Sequence, residues 1–164
     1  MSEERRKPQF EESGYSGSGA DDQNIRKLIS GVEERLHESI KAESLEGLNS
    51  FERKMVHRHF DHNPDFETRT YRNGDKFTLS IYPVENIKKF AKDKSQELLD
   101  TGTETCDLPP MGSYERYIVH AAVQDISGVE TASQGEGPER HVQISSKKRF
   151  GRGLKKIVKR IKLF

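Results

Sequence analysis

The chain has 164 residues, 31% of them hydrophobic and 34% charged, with 28 Lys and Arg against 27 Asp and Glu for a formal net charge of +1. That length holds one domain or two small ones, and the apolar fraction is lean for a single large core. No apolar run reaches the ~20 residues that cross a bilayer, the start has no secretory-leader pattern, and the lone Cys106 excludes an internal disulfide, so a soluble, cytoplasmic protein is expected.

Residues 1–22 mix charges with Gly, Ser and Pro and contain almost no aliphatic side chains, the composition of a disordered segment. Ile25, Leu28, Ile29, Val32, Leu36 and Ile40 then recur at helical spacing and predict a helix over 24–44. The passage from Leu45 to His57 leads to the strand-forming Phe66-Glu67-Thr68. Arg72-Asn73-Gly74-Asp75 places Asn-Gly between alternating segments, a strong hairpin signal. Beyond it Phe77, Leu79 and Ile81 are expected to face inward, and Thr78, Ser80 and Tyr82 outward. Pro83 closes this stretch.

Residues 84–100 predict a second helix, Thr103 to Leu108 a short strand, and Pro109-Pro110 a stop. A helix over Ser113–Asp125 would carry Arg116, His120 and Gln124 along one line, flanked by apolar residues on both sides. Val129 to Ser133 reads as a strand and Gln134-Gly135-Glu136-Gly137-Pro138 as a tight connection. Arg140 to Ile144 alternates, with Val142 and Ile144 on one side and His141 and Gln143 on the other.

The first passage lies under the second at a constant offset of 63. Leu45 falls on Leu108, Ser50 on Ser113, Phe51 on Tyr114, Glu52 on Glu115, Arg53 on Arg116, Val56 on Val119 and His57 on His120. Further on, Thr68 falls on Thr131, Leu79 on Val142 and Ile81 on Ile144, without a gap. An unbroken offset across helix and strands predicts two copies of one unit. The fold class expected is α+β: tandem α-β-α-β-β units at 23–83 and 84–145, each a three-stranded sheet packed against two helices. Units so small are marginal alone, so the copies are expected to pack together as a pseudo-symmetric pair.

The net charge conceals an asymmetry. From Lys147 onward the chain has nine basic residues and no acidic one, which leaves −8 for residues 1–146. Within this tail (146–164), Leu154, Ile157, Val158 and Ile161 fall on one helical face and Lys155, Lys156, Lys159 and Arg160 on the other, the pattern of a helix that forms against a surface. Structured RNA such as a ribosomal groove, the acidic body of the chain, and an anionic membrane are the surfaces such a tail suits.

Tyr114-Glu115-Arg116, His120, Val129-Glu130-Thr131, Ser133 and Gly135-Glu136-Gly137-Pro138-x-Arg140 together resemble the R-three-H domain, a family named for its Arg-x-x-x-His signature. The likeness is nearest to the domain that ends the bacterial Jag-type proteins, which join a KH domain to an R-three-H domain; here the unit reads as a divergent tandem without the KH part. The resemblance implies an α/β unit that binds single-stranded RNA or DNA, with Arg116 and His120 at phosphates. Arg53 and His57 match the same signature in the first copy, whereas its turn, Arg72-Asn73-Gly74, departs from Gly135-Glu136-Gly137.

The chemistry of the pair agrees with that implication. Arg presents a planar, permanently charged fork to phosphate oxygens, and His donates from a ring nitrogen. The residues expected at nucleic acid are therefore Arg116, His120, Arg53, His57 and Arg140, with Lys155, Lys156, Lys159 and Arg160 of the tail adding affinity. A competing reading pairs Arg116 with Glu130 and makes His120 a satisfied core residue. His57, His59 and His62 lack the spacing and the Cys or carboxylate partners of a metal site. Neither a nucleophile elbow, a Walker loop nor a Ser-His-Asp set is present, so no enzyme and no cofactor is expected. A protein-binding adaptor with an acidic body, and a peripheral membrane protein held by the tail, are the alternative functions.

Overall fold

A computed structural model describes residues 19–147. Helix α1 (Gly19–Leu36) buries Ile25, Ile29, Val32 and Leu36, the stripe read from the sequence. It begins inside the segment expected to be disordered, with Asp21 and Asp22 in its first turn, where negative charge suits the helix dipole. It also stops well short of residue 44. The amide of Asn86 donates to the carbonyls of Leu36 at 2.9 Å, His37 at 3.1 Å and Ser39 at 3.1 Å, satisfying acceptors that a helix end leaves open. The chain then turns, and Ile40 leaves the stripe to pack against a different core.

Strand β1 (Glu43–Glu46) follows, then helix α2 (Ser50–Phe60), then the hairpin of β2 (Glu67–Asn73) and β3 (Lys76–Tyr82). Asn49 caps α2 reciprocally: its side chain accepts the Glu52 N–H at 2.9 Å, and the Glu52 carboxylate accepts the Asn49 N–H at 2.7 Å. The hairpin pairs Asn73 with Lys76, so Gly74 and Asp75 are the turn residues, with Gly74 at φ 63°. The three strands form an antiparallel sheet in the order β1-β3-β2. Leu79 and Ile81 meet Val56, Phe60 and the α1 stripe in one core.

The second half repeats this element order. Helix α3 (Val84–Thr101) ends at Gly102, whose φ of 68° gives the left-handed C-terminal cap. Strand β4 (Thr105–Asp107), helix α4 (Ser113–Val123), strand β5 (Val129–Gln134), a 3-10 turn (Gly137–Glu139) and strand β6 (His141–Ser146) complete it. The sheet is antiparallel in the order β4-β6-β5, and Ile87, Ala91, Leu98, Ile118, Val119, Val123, Val142 and Ile144 make a second core. With four helices and two three-stranded antiparallel sheets among the described residues, the fold is α+β. No helix among those residues is long and apolar enough to cross a membrane.

The halves meet through unlike faces. The first contributes the side of its sheet turned away from α1 and α2, together with the bend before β1. The second contributes the first turns of α3 and α4. Tyr82 packs edge-on against Tyr114 with ring centroids 4.7 Å apart, and Ala42 N–H donates to Glu115 at 2.8 Å. The contact is therefore head-to-tail, with unlike faces from the two halves. One expectation is corrected. The outer face of β3 is not solvated: Ser80 and Tyr82 are buried under the second half, while Phe77, near the strand's start and away from that cover, is exposed.

Candidate functional site

Helix α4 is apolar where it meets α3 and the sheet, and it holds Arg116 and His120 one turn apart on its polar side. Its N-cap position is Gly112, where a side chain would stand 2.8 Å from the Glu115 carboxylate. Only half of the reciprocal cap seen at α2 therefore exists here: the Gly112 N–H donates to Glu115 at 2.5 Å. The other Glu115 oxygen is free to take the Ala42 N–H.

Arg116 donates to the Met111 carbonyl at 2.8 Å and to the Ser113 hydroxyl at 3.2 Å. Its neighbours are neutral acceptors, and it forms no ion pair with Glu130 among the described residues. Arg116 borders an open depression of about 640 Å³ together with Arg140, Lys41 and the Glu115 carboxylate. Three cations thus converge on one hollow, and its bordering carboxylate is already engaged by two backbone N–H groups.

His120 is half-buried between α4 and β5. Its Nδ1 lies 2.7 Å from the Thr131 hydroxyl and its Nε2 3.1 Å from the Ser133 hydroxyl. Burial first, and the Arg116 charge second, hold its pKa below the ordinary imidazole value. At neutral pH the ring is uncharged, and the hydroxyls, which can donate or accept, accommodate either tautomer. His120 faces a different recess from Arg116, one of about 400 Å³ shared with Tyr117, Glu130 and Lys147. The two signature residues therefore border two separate recesses.

The first half carries the same arrangement. Arg53 donates to the Leu48 carbonyl at 2.7 Å, and His57 lies 2.5 Å from the Thr68 hydroxyl and 2.8 Å from that of Thr70. Every partner stands 63 positions before its counterpart, Met111, Thr131 or Ser133. The surroundings differ, however. The Arg53 guanidinium lies over the Phe77 ring at 4.5 Å, and its depression is bordered by Glu46 and Asp75 as well as Lys76. The hollow of the first half is balanced in charge, and that of the second is cationic.

Arg140, exposed at the end of the 3-10 turn, lines the same hollow as Arg116. Lys155, Lys156, Lys159 and Arg160 lie outside the described residues. Lys41, Tyr117 and Lys147 were not found from the sequence as site residues. Lys41 comes near only because α1 ends early. The hydroxyls that hold both histidines were legible in principle, since Thr68 and Thr70, like Thr131 and Ser133, are two apart and share a strand face.

An α+β unit in which an Arg-x-x-x-His helix lies against the edge strand of a three-stranded sheet defines the class of domain. Residues 85–146 match the family model of the R-three-H domain. The chain is also 38% identical over 82 residues to a protein of Clostridium symbiosum named RNA-binding protein KhpB. That similarity covers 50% of this chain but 33% of the relative, so the chain spans about a third of the relative's length.

Proposed function

We propose that the protein binds nucleic acid without catalysing a reaction on it, and that its ligand is single-stranded RNA, or DNA of the same form. The observation that carries this reading is the hollow where Arg116, Arg140 and Lys41 converge beside a carboxylate that two N–H groups already occupy. A phosphate entering it meets permanent forked donors and little opposing charge. The R-three-H domain and the name of the relative support RNA as the ligand.

In this reading Arg116 and Arg140 hold one phosphate, and His120, with both ring nitrogens on hydroxyls, braces α4 against β5 beside it. The first half is a divergent copy of the same unit, a view supported by the shared hydrogen-bond pattern of Arg53 and His57. Its charge-balanced hollow makes it the weaker site. The basic tail adds counterion release, which strengthens binding without selecting a sequence.

Fluorescence polarisation with a labelled single-stranded RNA, its DNA equivalent and a duplex tests the reading. Single strands should bind more tightly than the duplex, and Arg116→Ala with Arg140→Ala should weaken binding while far-ultraviolet circular dichroism stays unchanged. An affinity indifferent to that double change would remove the hollow from the site.

A further inference from the structure

Tyr117 is 63% exposed, the most exposed large hydrophobic side chain among the described residues, although it stands on α4 between the two signature residues. It is not a loose side chain. Its ring stacks on Tyr114 at 5.8 Å with an interplanar angle of 21°. Tyr114 is in turn held by the first half of the chain. Its hydroxyl donates to Glu67, the Arg69 guanidinium lies 3.7 Å from its ring centroid, and Tyr82 packs edge-on against it. Arg69 and Glu67 are themselves joined at 2.9 Å and 3.0 Å.

We propose that Tyr117 is a stacking platform for one unpaired nucleobase, a site completed by β2 of the first half and distinct from the phosphate contacts. Resting on the nucleic-acid reading above, this assigns the base-binding element of the same surface. Three observations bear on the occupant. The exposed ring borders the recess that also contains Lys147, beside His120 and Glu130, so a cation stands near it for the attached sugar-phosphate. The ring is ordered in advance by Tyr114, which lowers the entropy lost on stacking. Arg69, paired with Glu67 and lying over Tyr114, fixes that ring from the side of the first half. A flat, electron-rich and exposed ring with Lys147 nearby suits a base whose backbone is anionic, and stacking accepts any base because each has a π face. The equivalent residue of the first half is Lys54, so the platform belongs to the second half alone.

The test compares a single-stranded oligonucleotide with an abasic sugar-phosphate strand of equal length, using the full chain. Wild type should bind the base-bearing strand about tenfold more tightly. Tyr117→Ala should lose that preference while holding the abasic strand as wild type does, and Tyr117→Phe should keep it. The chain contains no Trp, so Tyr117→Trp supplies a single fluorophore, which the base-bearing strand should quench and the abasic strand should not. A Tyr117→Ala variant that retains the full preference, or a Trp unquenched by a strand that binds, overturns the platform and leaves the phosphate site standing. Failure of wild type to bind either strand overturns both readings together.

Discussion

The Glu115 carboxylate accepts the backbone N–H of Ala42 at 2.8 Å across 73 positions of sequence, while also accepting the Gly112 N–H at 2.5 Å. One side chain thereby starts α4 and fastens the second half to the bend after α1. It is one of three buried polar residues among those described, and the only one that is acidic.

Replacing Glu115 by Ala leaves two N–H groups without their acceptor at a largely covered position. A loss of about 2 kcal/mol or more is expected, since an unsatisfied buried donor costs its desolvation. Urea unfolding monitored by circular dichroism measures it. Glu115→Gln should lie between, because its amide nitrogen can accept neither N–H. A Glu115→Ala protein as stable as wild type would show that the contact between halves rests on the tyrosines, Asn86 and the packing of Ile40 without help from this carboxylate.

Arg116 and Arg53 occupy equivalent positions in unlike hollows. Arg116→Ala should weaken single-strand binding about tenfold or more, as expected for loss of a charge-assisted contact. Arg53→Ala should change it less than about threefold, because Glu46 and Asp75 already offset its charge. Titration of both variants against one labelled strand decides the order, and a reversed order would move the principal site to the first half.

His120 supplies a pH dependence with a definite sign. Its pKa is lowered by burial and by Arg116, so the unfolded chain takes up the proton more readily than the folded one. The stability it contributes is complete above the ordinary value of about 6.5 and is lost as pH falls from there through the lower folded value. A bound phosphate favours the imidazolium, so affinity should rise over the same fall in pH. The difference between wild type and His120→Ala, in denaturation and in binding from about pH 7.5 to about pH 5.5, isolates both effects. A difference independent of pH would remove His120 from the anion site.

Truncation after Lys147 removes eight basic residues and no acidic one. For single strands log K falls against log salt by about 0.7 for each phosphate neutralised. The truncated chain should therefore show a shallower slope, with its preference for single strands over duplex intact. An unchanged slope would mean that the tail is not at the nucleic acid.

Much of this was legible in local patterns. The apolar spacing of α1, α3 and α4, the hairpin signal around Gly74, and the alternation in β6 are short-range signals, because helical and strand periodicities show which face is buried. Arg116 and His120 were visible for the same reason, a fixed spacing on one helix. What their surroundings do was not. Neutral carbonyl and hydroxyl partners for Arg116, and two hydroxyls for His120, are set by neighbouring strands and loops.

The sequence by itself determined the element order, the two-fold recurrence of Arg-x-x-x-His and the sign of the charge in each part, all carried by residues close together in the chain. Tertiary structure decided where α1 stops, which face of β3 is covered, and that Lys41, Arg140 and Arg116 share a hollow while Tyr117 rests on a tyrosine held by β2. Those outcomes depend on contacts between residues tens of positions apart. Asn86 ends α1, Tyr114 covers Tyr82, and Glu115 holds Ala42. A helical stripe such as Ile25 to Ile40 carries no mark of the point where one of its members will be drawn into another core.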